Sequence, residues 1–315
     1  MKNEGPSPVN ETSTLIVGYG YLGKRVADAI LRQSPENTVF ATTRSKAKAD
    51  LIAGLSIQPI IADWTDRRSL THLPSCKRVV VAVSYDPRSG RSRDESQVGG
   101  LSNLLEFLPA EADICYISTT GVYHQTDGSW VDETSPARPR AAGGLAHLRA
   151  ESLLHNRRPH GRWTILRLAG IYGPGRVPRV NDVIAGRPVD GPHGGYLNLI
   201  HVEDAANAVL AAWECKDRSR LYAVADDRPV IRSAFYEQIA RLTGAPSPRF
   251  TSQLVGGDTS GANATNPLPA AVLSSRSLSN KRIWNRRFRR DLMPELAYRD
   301  YVDGLLAVDL PGKSS

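Results

Sequence analysis

The chain has 315 residues and a mass of 34.3 kDa, room for one large domain or two small ones sharing an interface. With 41% hydrophobic and 23% charged residues it has globular composition, which excludes wholesale disorder and a coiled coil. The formal net charge is +8, and from residue 246 onward ten Lys/Arg stand against six Asp/Glu, an imbalance that suits an acidic partner such as a nucleotide phosphate, a sugar diphosphate or nucleic acid.

The plainest apolar stretch, Val79–Val83, is far shorter than the ~20 residues a membrane span needs. The N-terminal MKNEGPSPVNETST has no apolar h-region, so no secretory signal is expected and the chain reads as cytoplasmic. Cys76, Cys115 and Cys215 lie far apart, which suggests neither a disulfide framework nor a metal site.

Residues 1–12, polar with two prolines, read as a disordered tail. Thr14–Val17 then forms a β-branched run ending at Gly18, followed by a helical stripe of Leu22, Val26, Ala29 and Ile30. Val39–Thr43, Ile57–Ile61, Val79–Val83, Ile114–Ile117 and Trp163–Leu168 read as further strands, and Leu101, Leu104, Leu105 and Leu108 mark a helix. Short apolar strands alternating with helical segments predict an α/β fold, a doubly wound parallel Rossmann sheet with both faces covered. Residues 251–270, rich in Gly, Ser, Thr and Asn, read as a surface loop.

Gly18-Tyr19-Gly20-Tyr21-Leu22-Gly23 is a G-x-G-x-x-G in its required context, after a strand and opening a helix. Gly18 permits the tight turn, Gly20 lets the backbone approach a pyrophosphate, and Gly23 lets helix and strand pack closely. The helix N-terminus then offers free N–H groups and partial positive charge to the phosphates. The residue reading the ribose belongs at the end of the second strand, where an Asp or Glu would select NAD. The chain has Arg44 there, 21 residues beyond Gly23, which points to NADP rather than NAD. Asp63 and Trp64 follow the third strand, where they border the adenine or simply cap a turn. Ala82, near the end of the fourth, is a further candidate for the cofactor.

The ordered segments GYGYLG, Ile117–Tyr123 (ISTTGVY), Asp132–Pro136 (DETSP), Leu166–Gly175 (LRLAGIYGPG) and Asn198–Asp204 (NLIHVED) resemble the extended short-chain dehydrogenase/reductases of the NAD-dependent epimerase/dehydratase group. Tyr222–Pro229, Phe235–Thr243 and Ser279–Ile283 extend the likeness to the atypical, YeeZ-like bacterial branch, which carries GxGxxG in place of GxxGxxG. The resemblance implies a Rossmann domain over 13–175, completed by about 196–228 through strands near Tyr196–Leu199 and Leu221–Ala225. It also implies a small, mostly helical C-terminal substrate lobe from 176–195 and 229–315. A nucleotide sugar or similar carbonyl or alcohol would bind between them as the small-molecule substrate of an NAD(P)-binding oxidoreductase or epimerase. It further suggests a homodimer through helices near Asp94–Leu108 and Gly143–Leu154.

The family places a catalytic Tyr, and a Lys four residues later, on one helix face. Anchored on Pro139 and Glu151, those positions fall on Gly143 and His147, so the usual pair is missing. Loss of a general acid/base typically costs 10²–10⁴-fold in rate. Three residues are candidate replacements. Thr119 aligns with the family's catalytic Ser/Thr, or is a polar strand end. Tyr123 offers a phenol, or packs. His147 offers a ring that titrates near neutrality, or faces solvent. The alternative to an enzyme is a non-catalytic NAD(P)-binding sensor. Arg176, in the turn Tyr172–Arg176, and Arg282, in the basic stretch Ser279–Arg290, are candidates for substrate phosphate. That stretch holds six Lys/Arg with Trp284 and Phe288 among them, yet no nucleic-acid fold accompanies it, so nucleic acid is not the expected partner.

Overall fold

A computed structural model describes residues 10–189, 191–216, 220–251 and 279–312; the loop expected over 251–270 lies outside them except for Thr251. Seven parallel strands make the central sheet: β1 (Asn10–Val17), β2 (Thr38–Thr43), β3 (Gln58–Ile61), β4 (Cys76–Val81), β5 (Asp113–Thr119), β7 (Trp163–Leu168) and β11 (Leu221–Val224). Their spatial order is β11-β7-β5-β4-β1-β2-β3. β1 starts at Asn10, where it pairs with Cys76 before a register shift, so the strand reaches into the segment expected as tail.

Alternation along each strand feeds two cores, because both sheet faces are covered. Ile16 and Val80 point to one face, with α1 (Tyr21–Gln33) and α6 (Val202–Glu214) packed there through Val26, Ile30, Ala205 and Val209. Leu15, Val17, Val79 and Val81 point to the other, beneath α3 (Gly100–Phe107) and α4 (Ala142–Arg157). α2 (Lys46–Ala53) links β2 to β3.

The remaining strands are short: β6 (Trp130–Val131), β8 (Gly170–Tyr172), β9 (Tyr196–Leu197), β10 (Leu199–His201), β12 (Val230–Ile231) and β13 (Arg282–Ile283). Residues 196–199, expected to complete the central sheet, instead split. β9 pairs antiparallel with β12, and β10 pairs with β8. Leu221–Val224 does join the sheet, beside β7. A separate apolar cluster gathers Val183 of α5 (Val180–Ile184), Phe235, Tyr236 and Ile239 of α7 (Arg232–Thr243), and Tyr301 and Leu305 of α9 (Tyr301–Leu306), while α8 (Arg286–Asp291) packs on β11. No described helix is long and apolar enough to cross a membrane.

Since the chain runs outward from β1 to β3 and then returns to β4 on the other side of β1, the strand order reverses at the β1–β4 pair. A crevice opens there at the C-terminal strand ends.

Candidate functional site

The crevice is a cleft of about 580 Å³, within the usual range of small-molecule sites. Gly18, Tyr19 and Gly20 line it from β1, Arg44 from β2, Asp63 and Trp64 from β3, and Ala82 from β4. Seven of the sequence-derived cofactor residues therefore meet at one place. Tyr21, Leu22 and Gly23 are not on its wall.

The glycine loop has a distinct reason for each glycine. Gly18 has φ +97°, and a Cβ there would stand 2.9 Å from the Ala82 carbonyl oxygen. A Cβ on Gly23 would lie 2.3 Å from the Gly18 oxygen, which is backbone and cannot step aside. Gly20 has open space around it. It is the N-cap of α1 and supplies no side-chain bond, so the first-turn N–H groups remain available to an anion. The end of β2 fixes the loop, with Gly18 N donating to Thr42 Oγ1 at 2.9 Å and Tyr19 N to the Thr42 carbonyl at 3.1 Å.

Leu22 is buried in the core beneath α6. Tyr21 carries Arg176 over its ring, 5.2 Å from the centroid. Arg176, expected for a substrate phosphate, thus stands beside the first turn of α1. The Trp64 indole lines the cleft but is wedged under α3, where a Cβ on Gly100 would meet it at 2.5 Å. The Asp63 carboxylate accepts from Thr65 N and Oγ1, so it organises its own turn.

The cleft wall is cationic. Arg44, Lys48 and Arg91 line it, while its two acids are engaged, Asp63 with Thr65 and Asp86 with Arg44 at 2.9 Å. Lys48 was missed in the sequence. Its ammonium bonds the Tyr19 carbonyl and lies 5.7 Å from that ring. A signal was present, for Ser45 caps α2 and side chains in a first helical turn lean back toward the N-terminus.

Beyond β5 the candidates separate. Thr119 Oγ1 accepts from Gly121 N at 3.0 Å, capping the turn at the strand end, where the residue is half-buried. Tyr123 is buried, and its hydroxyl accepts from Arg167 Nη1 at 3.1 Å. Arg167 in turn donates from Nε and Nη2 to Glu151, at 3.0 and 2.6 Å. Burial pushes the Tyr123 phenol up, against the pull of Arg167. This phenol belongs to an interior ion network. His147 does not face solvent. Its Nδ1 lies 3.0 Å from Tyr116 Oη, and burial, with the Arg93 charge second, holds its pKa down to about 4.

Arg282 points outward between Trp130 and Tyr196, 4.9 and 5.0 Å from their ring centroids, and its Nε donates to the Gly128 carbonyl. Its neighbour Lys281, just before that two-residue strand, turns inward instead. That ammonium is buried, donates to Tyr123 O and Ser279 Oγ, and is lowered by burial to about 8. The other arginines of the stretch are dispersed. Arg287 pairs with Glu133, Arg289 with Asp227 and Arg290 with Asp291. His201 is the N-cap of α6, its Nδ1 accepting from Glu203 N, while Asp204 accepts from Ala297 N and Tyr298 N and ties the C-terminal segment down.

The model of the NAD dependent epimerase/dehydratase family matches residues 14–225. Protein YeeZ of Escherichia coli strain K12 is 30% identical over 251 residues, covering 77% of this chain and 88% of YeeZ. A functionally unknown conserved protein from Silicibacter pomeroyi superposes with TM-score 0.71 at 27% identity, over 94% of this chain and 97% of that one. The UDP-glucose 4-epimerase of Thermotoga maritima, solved with UDP-glucose, shares the fold at TM-score 0.73 and 17% identity, over 94% and 96% of the two chains. With the family match spanning well over half of its length, this chain belongs to the NAD-dependent epimerase/dehydratase family.

Proposed function

We propose that the protein is an NADP-dependent oxidoreductase or epimerase-like enzyme acting on a nucleotide sugar or a similar small carbonyl or alcohol. The observation that carries this reading is the cleft itself, where an uncapped helix N-terminus, an open Gly20 and the cations Arg44, Lys48 and Arg91 face one volume. These residues fit a dinucleotide. The first turn of α1 would take the pyrophosphate, and Arg44 with Lys48 the 2′-phosphate. When bound, the nicotinamide supplies hydride chemistry. Thr119, at the C-terminal end of β5, would orient a substrate hydroxyl. A dimer through α3 and α4, where Leu145 is exposed, belongs to the same reading.

A dinucleotide-binding sensor without turnover is the second reading, favoured by the absence of phenol or ammonium at Gly143 and His147.

Fluorescence titration with NADPH and NADH, repeated on Gly20→Asp, tests the proposal. A Cβ at this position meets no neighbour within 4 Å, so the fold should be kept while a carboxylate enters the phosphate site. NADPH binding that disappears in the variant supports the assignment. Absence of binding by the native protein, or binding unchanged in Gly20→Asp, would overturn it.

A further inference from the structure

Helix α4 holds two adjacent glycines, Gly143 and Gly144, in its first turn. Gly144 is explained by packing, since a Cβ there would lie 2.3 Å from the Gly121 carbonyl oxygen. Gly143 faces Arg93. A Cβ built on it would stand 3.3 Å from Nη1 and 3.6 Å from Cζ of that guanidinium. A longer side chain at 143 would take the space the guanidinium occupies. Where the family carries a phenol and an ammonium on α4, this chain has a cation delivered from the segment after β4.

Arg93 is held rather than loose. Its guanidinium stacks on the Tyr85 ring, 4.1 Å from the centroid, and the Tyr85 hydroxyl donates to the Arg91 carbonyl at 2.9 Å. Arg91, Ser84 and Asp86 of the same segment line the dinucleotide cleft. No carboxylate among the described residues pairs with Arg93, and the adjacent Asp94 is taken by Arg149. The nearby His147 is kept neutral by burial and by the Arg93 charge, so it brings no competing cation. On its other side, the Gly143–Gly144 step rests on the turn that Thr119 caps. A half-buried, stacked guanidinium without a counter-charge is a ready acceptor for an oxyanion, because its planar fork matches carboxylate and phosphate oxygens and stacking leaves little freedom to lose.

We propose that Arg93 replaces the missing tyrosine–lysine pair as the cation of the reacting end and binds an oxyanion, a carboxylate or phosphate group, that the substrate carries next to its reacting carbon. The inference rests on the dinucleotide reading for the location of that end. It narrows the substrate from any carbonyl or alcohol to an anionic one.

Isothermal titration of NADP⁺-saturated protein with oxalate, and separately with inorganic phosphate, tests it. At least one anion should bind the native complex and be weakened ~10-fold or more in Arg93→Met, as expected for a lost charge-assisted pair, with part of the affinity kept in Arg93→Lys. Gly143→Tyr should cause a similar loss by displacing the guanidinium without changing the charge. Preference for oxalate marks a carboxylate substrate, and preference for phosphate marks a phosphate ester. NADPH affinity of each variant checks folding. Failure of both anions to bind the native complex, or equal binding by Arg93→Met, overturns the proposal. Should the native protein not bind NADPH, the dinucleotide reading falls alone, since the same anion titrations without cofactor still decide the role of Arg93.

Discussion

Arg44 at the end of β2 and Asp86 in the segment after β4 meet across the mouth of the cleft, Nη2 to Oδ2 at 2.9 Å. Their bond, ahead of the backbone N–H of Arg88, holds the Asp86 carboxyl below the usual range. A 2′-phosphate must take Arg44 from Asp86, whereas a 2′-hydroxyl has no such need. On the proposed NADP reading, the acid would temper the preference that the arginine creates.

Arg44→Asp should accordingly weaken NADPH about 10- to 100-fold, the scale of a charge-assisted contact, and NADH much less. Asp86→Asn should tighten NADPH a few-fold by releasing Arg44. Both are read by fluorescence titration. Equal losses for the two nucleotides in Arg44→Asp would remove the NADP assignment.

The glycine loop separates binding from folding. Gly23→Ala forces a Cβ against the Gly18 oxygen at 2.3 Å and should cost ~1–3 kcal/mol as overpacking. Gly20→Ala meets nothing within 4 Å and should cost no more than about 1 kcal/mol, the N-cap preference for glycine over alanine. Urea midpoints check the contrast. Similar destabilisation by both would mean that the loop is set otherwise.

The loop was legible because its chemistry is local, a strand, three glycines at fixed spacing and a helix start, and the same holds for the sheet, whose strands are buried on both faces. Residues 196–199 were misplaced for the opposite reason. A short β-like run does not say which strand it pairs with, and here the partners are β12 and β8, outside the central sheet. Arg282 drew attention by charge, yet it stands on a two-residue strand between two rings, while Lys281, just before that strand, is the buried cation. Tyr123 looked like an available phenol because nothing in its neighbourhood announces Arg167, 44 residues away. Arg93 was invisible, since its meeting with Gly143 depends on two segments that share no pattern.

The Glu151–Arg167 pair should dominate the stability of this end of the sheet. Both side chains are nearly fully buried, and Ser118 Oγ also donates to Glu151 at 2.5 Å. Removing one partner leaves an uncompensated charge, so Arg167→Met and Glu151→Gln should each cost about 3–5 kcal/mol. Tyr123→Phe should cost ~1 kcal/mol, the value of one hydrogen bond, and leave NADPH affinity intact. Chemical denaturation measures the first effect and fluorescence titration the second. A Tyr123→Phe protein as stable as the native one would place the phenol outside the network.

His147 sets a pH dependence whose sign follows from its surroundings. Burial first, and the Arg93 charge second, hold it down to about 4, while the unfolded chain titrates near 6.5. Between those values the unfolded state binds a proton that the folded state refuses, so this contribution to stability is complete above about 6.5 and is lost as pH falls toward 4. His201, also held to about 4 by burial, adds in the same direction, and Asp226, whose carboxyl burial raises, opposes both. The native curve alone therefore mixes signs, and a variant isolates one group. His147→Gln keeps a hydrogen-bonding side chain beside Tyr116 without a titrating ring. Its Tm should fall less than that of the native protein between pH 7.5 and 5. Parallel curves would show that the ring takes up its proton as freely in the folded state as in water, and the tight Tyr116–His147 contact would then have to open in solution.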